Sequence, residues 1–171
     1  MRLLEICFSL VLASGLAQAQ TASVQLFGTA CPDPLGAGSP SLTVTGVPRL
    51  GTSYSVNYSA GPSGRPPQGG SIVPILATGL SSTSAGGVPL PFAIPVNWYV
   101  QQPAGCLLLV SAELAQVPPG AGPVTFSVPN VPALAGLALH HQWLVAWIDT
   151  FAPSGRRYLL GSNAARAQIG F

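Results

Sequence analysis

Eighteen prolines and twenty glycines are spread through this chain of 171 residues rather than gathered into one linker. Proline has no backbone N–H to give, and its ring collides with the preceding helical turn. Few windows long enough for a core helix escape one. What survives such punctuation is a series of short extended segments joined by tight turns, the cadence of an all-β sandwich or barrel. Alternation of apolar and polar residues predicts strands at 23–27, 41–45, 53–59, 124–128, 137–148 and 164–169. The clearest is 53–59, where Tyr54, Val56 and Tyr58 alternate with Ser55, Asn57 and Ser59. Residues 71–77 are apolar enough for a central strand, although Pro74 favours an edge or a bulge. Residues 106–112 read as a buried strand and the proline-rich 89–96 as an irregular edge. Residues 62–70, 81–87 and 113–122 read as loops, and 129–136 as a helical turn or tight loop. The expected fold is a two-sheet antiparallel β-sandwich, Ig-like or jelly-roll-like.

The N-terminus carries a second pattern. Arg2 precedes an apolar stretch over 6–16, and Ala17 and Ala19 place small residues where a signal peptidase reads. Residues 1–19 are therefore expected to be a cleaved export signal, leaving 20–171 as a single β-sandwich domain large enough for a real core. No apolar run of membrane-spanning length follows. After cleavage Cys31 and Cys106 remain, and an even count in an exported protein reads first as a disulfide. Two thiols make no zinc site, and no C-x-x-C redox pair is present.

Charged residues make up only 6% of the chain and hydrophobic ones 48%. Disorder goes with the opposite balance, so the chain is expected to fold. With no lysine and scattered arginines it lacks the clustered cations that nucleic acid requires. The low charge predicts a surface of small polar groups suited to lasting contact with neighbours.

Catalytic patterns are sparse. His140 and His141 are adjacent, so on a strand they point to opposite faces and cannot share a metal. One is expected inward with a hydrogen-bond partner, the other in solvent. No G-x-S-x-G elbow occurs, and Asp33, Glu113 and Asp149 are too few for a ready pair of catalytic carboxylates. The loop 31–38 offers calcium one carboxylate. Asn57-Tyr58-Ser59 matches a glycosylation sequon, but it falls within a predicted strand. Trp143 and Trp147 share a face of the long strand with Leu139, His141 and Val145, and this face is read as core. Trp98 and Tyr99, in a proline-flanked segment, are the binding candidates.

Several short motifs occur in a fixed order: Gly28-Thr29-Ala30-Cys31-Pro32, Gly46-Val47-Pro48-Arg49-Leu50-Gly51, Gly105-Cys106, Pro132-Ala133-Leu134-Ala135-Gly136 ahead of Gln142-Trp143-Leu144, and a closing Ser162-Asn163 with Ile169-Gly170. In this order the chain resembles the small secreted β modules of planctomycete-type bacteria, often placed at the C-terminal end of larger extracellular proteins. The resemblance implies an exported β module whose two cysteines pair, and it brings no activity and no catalytic residues. Together these readings predict a non-catalytic structural or adhesive module, secreted or periplasmic, without cofactor or metal. Its expected partner is an extracellular protein or polysaccharide, not nucleic acid. A carbohydrate-binding module using Trp98 and Tyr99 and a small outer-membrane β-barrel are the alternatives.

Overall fold

The computed structural model describes residues 20–32, 38–60, 71–94, 105–120, 122–148 and 157–171. The expected export signal, the loop 62–70, most of the loop 31–38, Asp149 and the Trp98–Tyr99 segment lie outside the described residues. The strands are β1 (Ser23–Phe27), β2 (Ser41–Thr45), β3 (Ser53–Ser59), β4 (Ser71–Gly79), β5 (Ser84–Ala85), β6 (Val88–Pro89), β7 (Phe92–Ala93), β8 (Leu107–Leu108), β9 (Leu114–Gln116), β10 (Val124–Ser127), β11 (Ala138–Ile148) and β12 (Arg157–Gln168). Among the described residues one 3-10 turn is present, at Pro132–Leu134. Five strands form one antiparallel sheet in the order β1-β12-β11-β4-β9, and three form a second in the order β10-β3-β2. The fold is the expected all-β sandwich.

The two sheets meet over a core of Leu42, Tyr54 and Val56 from the small sheet against Leu76, Trp143, Ala165 and Ala167 from the large one. The small alanines of β12 make room for the indole of Trp143, whose Nε1 donates to the Asn57 carbonyl at 3.0 Å. Trp147, Val145, Tyr158 and Leu160 extend this core around the disulfide between Cys31 and Cys106. The tryptophan face of β11 is thus interior, as the alternation predicts.

The opposite face of β11 is interior as well, which alternation does not predict. Leu144 and Ala146 on that face pack under Leu107, Leu108, Leu109 and Ile94. These residues come from segments 105–111 and 92–94, which cross the outside of the large sheet as a third layer. Residues 106–112 are therefore not a continuous strand. Only Leu107–Leu108 pairs in a ladder, with β7; Ser111 N–H donates to the Ser81 carbonyl, and the groups of Leu107 and Leu109 are met by a side chain. Leu109 N–H donates to Gln142 Oε1 at 2.9 Å, and Gln142 Nε2 donates to the carbonyls of Leu107 and Ser162, both at 2.9 Å. Two glycines allow the approach. A Cβ on Gly79 would overlap the Ser111 backbone, and one on Gly161 would sit 2.8 Å from Gln142 Nε2.

The last strand is longer than the expected 164–169. It begins at Arg157 but carries a bulge: Gln142 faces Ala164 while Leu144 faces Gly161, so Ser162 and Asn163 together oppose Trp143. One extra residue inverts the alternation. Tyr158 and Leu160 point inward before it, Ala165 and Ala167 after it. Residues 113–122, read as a loop, contain β9, and 81–87 contains β5. Pro74 stands where, among the described residues, β4 has no outer strand, because β9 pairs only with Leu76–Thr78.

Two outcomes follow. The disulfide closes a separation of 75 residues, so Cys31→Ser with Cys106→Ser is expected to lower stability by about 4–5 kcal/mol in the chain-entropy model, measured by urea unfolding. Native, unreduced protein should show neither thiol to alkylation by intact mass. Trp143→Ala is expected to cost about 3–5 kcal/mol; free quenching of Trp143 by iodide would contradict its placement.

Candidate functional site

His141 points between the sheets and is fully buried. Its Nε2 lies 2.9 Å from the Tyr54 hydroxyl and its Nδ1 3.0 Å from the Thr78 hydroxyl. Phe126 covers the ring at 4.8 Å between centroids. Hydroxyls both donate and accept, so either neutral tautomer is satisfied. Burial, helped by the neighbouring His140, pulls the imidazole from its ordinary 6.5 down to about 4. Burial also pushes the Tyr54 phenol well above its usual range. Both groups are therefore neutral at ordinary pH. They form a hydrogen-bonded strut linking β3, β11 and β4.

His140 corrects an expectation. It is not in solvent but 6% exposed on the other face of β11, with Phe27 edge-on at 6.2 Å. Neither ring nitrogen has a hydrogen-bond partner. The reason is the third layer: Phe27 and the segment around Leu109 roof the face that a two-layer sandwich would leave open. Burial lowers the His140 pKa, Arg166 adds to that, and Glu113 partly offsets it. Glu113 itself is exposed and accepts from the Ser111 hydroxyl at 2.8 Å and the Leu80 N–H at 3.1 Å. The Ser111 bond leads in holding its carboxyl below the usual range. Its hydrogen bonds tie Leu80 to Ser111, a turn-fixing role. Among the described residues no three His, Cys, Asp or Glu side chains come together as a metal site.

The surface offers two features. The first is the outer face of the small sheet. β2 contributes Ser41, Thr43 and Thr45; β3 contributes Ser53, Ser55, Asn57 and Ser59; β10 contributes Thr125 and Ser127. Register sets them in rows: Ser41 beside Ser59, Thr43 beside Asn57, Ser55 between Thr45 and Thr125, and Ser53 beside Ser127. Cross-strand bonds join Ser55 to Thr125 at 2.9 Å, Ser53 to Ser127 at 3.3 Å, and Asn57 Nδ2 to Thr45 Oγ1 at 2.9 Å. The Asn57 amide of the sequon is thus engaged within the sheet. No charged residue occurs on these three strands. The signal was visible in the alternation, since every second residue is Ser, Thr or Asn. Each strand alone, however, reads as an ordinary solvated face.

The second feature is a groove of about 330 Å³ beside the outer edge of the first half of β4, lined by Tyr58, Ile72, Pro74 and Val117. Val117 is exposed there. Among the described residues lining it, the one titrating group is the Tyr58 phenol, whose pKa burial raises. Trp98 and Tyr99, the sequence's binding candidates, lie outside the described residues. No family model, no curated protein and no solved structure matches this chain.

The buried strut makes stability depend on pH. Between pH 6.5 and 4 the unfolded chain binds a proton that folded His141 refuses. Stability is then full above about pH 6.5 and falls by about 3 kcal/mol as the pH drops to about 4. Urea midpoints across that range should show the slope, and His141→Gln should flatten it. Tyr54→Phe, which strands one ring nitrogen, is expected to cost about 1–3 kcal/mol.

Proposed function

We propose that this chain is a non-catalytic structural or adhesive module that acts outside the cytoplasm, by lasting contact between its outer sheet face and an extracellular protein or polysaccharide. The observation that carries this reading is the uncharged hydroxyl-and-amide face of β2, β3 and β10. Charged groups are costly to desolvate, whereas hydroxyls exchange water for a partner's hydroxyl or amide at little cost. Rigid strands hold the rows in place, so binding orders no flexible side chains. The disulfide and the expected export signal agree with an oxidising compartment. Among the described residues no helix is long and apolar enough to cross a membrane. The open five-stranded sheet and the side-chain-filled interior favour a sandwich module over the outer-membrane barrel. The resemblance to secreted β modules of planctomycete-type bacteria supports the same setting.

The deciding experiment pairs a glycan array with capture from isolated cell envelope. Saturable binding is expected, reduced at least tenfold by Thr43→Glu with Thr125→Glu, both at exposed positions, with circular dichroism expected to stay that of the parent protein. Glycan binding that survives those changes but is lost on Trp98→Ala would establish the carbohydrate-binding alternative through Trp98 and Tyr99. Hydrolysis of an ester, glycoside or peptide by purified protein would defeat the non-catalytic reading.

A further inference from the structure

An exposed strand edge is a template for pairing with another chain, and folded proteins block such edges with short strands, prolines, charges or bulges. Nearly every edge of this sandwich is blocked. β2 is clamped by Asn163, whose Oδ1 accepts from Leu42 N–H at 2.8 Å and whose Nδ2 donates to the Leu42 carbonyl at 3.1 Å. β10 is four residues long, with Pro123 before it and Pro129 after. β9 is three residues long, between Glu113 and Val117-Pro118. The outer half of β4 carries Pro74.

β1 is the exception. Ser23–Phe27 pairs in unbroken register with β12 on one side and, among the described residues, with nothing on the other. It holds no proline, no charge and no bulge. It also presents apolar surface at the edge, because Leu26 is 51% exposed. Val24 and Leu26 stand opposite Ala167 and Ala165 of β12, so both lie on the core-facing side of the large sheet at its rim.

We infer that β1 is a self-pairing edge, and that a second copy of this chain adds its own β1 antiparallel to the first about a two-fold axis at Gln25. The sequence of the strand is self-complementary about that point. Gln25 meets Gln25 of the other copy, and Val24 meets Leu26 on each side of the axis, which covers the exposed Leu26. Such cross-strand apolar pairs are the unit of sheet stabilisation. Charge does not oppose it. Arg166 sits beside Gln25 in the next strand, so the two copies' Arg166 backbones would stand about 14 Å apart, beyond the screening length at physiological salt. The two large sheets then become one continuous sheet, and the closed symmetry ends growth at a dimer. This goes beyond the reading of the hydroxyl face and does not depend on what that face binds.

The test uses disulfide-intact protein. Sedimentation velocity over a concentration series is expected to show a reversible monomer–dimer equilibrium. Leu26→Lys, at an exposed position, should weaken it at least tenfold. Gln25→Cys should form a disulfide between copies, since directly opposed residues of an antiparallel pair have Cα atoms about 4.5–5.5 Å apart. Thr125→Cys, on the hydroxyl face, should not cross-link. A protein that stays monomeric to about 1 mM, a dimer indifferent to Leu26→Lys, or cross-linking through Thr125→Cys as fast as through Gln25→Cys would each overturn the inference.

Discussion

Gln142 holds three parts of the molecule with one side chain. Its carbonyl oxygen accepts from Leu109, and its amide nitrogen donates to Leu107 on the crossing segment and to Ser162 at the bulge of β12. Each of those backbone groups would otherwise be buried without a partner, at a cost of about 1–3 kcal/mol apiece. The crossing segment can therefore lie flat on the large sheet without being a strand of it. Once it does, the outer face of β11 becomes interior, His140 is sealed in, and Gly79 and Gly161 must stay free of a Cβ. Cys31 follows from the same geometry, because its N–H donates to the Gly161 carbonyl and its sulfur accepts from Gly161 N–H.

The other face of β11 is ordered by a different polar group. His141 bonds Tyr54 across the gap between sheets and Thr78 on the neighbouring strand. These bonds are directional, whereas the surrounding contacts among Trp143, Leu42 and Val56 are not. They set the register of the small sheet against the large one, and with it the position of the hydroxyl rows on the far side. The interior histidine and the exterior face are thus two ends of the same strands: Tyr54 reaches inward from the stretch that sends Ser53 and Ser55 outward.

Much of this was legible in the sequence. Residues 53–59 form a strand with the predicted ends, because nothing interrupts their alternation. The long strand at 138–148 and its buried tryptophans were equally readable. What stayed hidden were features whose cause lies elsewhere in the chain. The start of β12 could not be read, because the bulge at Ser162 and Asn163 cancels the period-two signal across it. The apolar run at 106–112 reads as a strand by composition, yet its ladder stops at Leu107–Leu108, and Leu109 N–H and the Leu107 carbonyl turn to a glutamine side chain. His140 looked solvent-facing because a two-layer sandwich leaves one face wet, and the third layer shows only in the packing. The hydroxyl face is local in each strand, but its meaning depends on the register that aligns three of them.

The pairing of β1 with β12 brings the first described strand against the last. A chain made from its N-terminus onward offers β1 no ladder partner among the described residues until β12 has been synthesised. The same delay governs the cysteine bridge, since Gly161, which holds Cys31 in place, also arrives late. Contacts this distant in sequence form slowly, because the loop must close before any of them contributes. A chain stopped short of β12 would expose the apolar flanks of β11 and β1 together. The order of synthesis thus makes the completion of β12 the event that closes the sandwich.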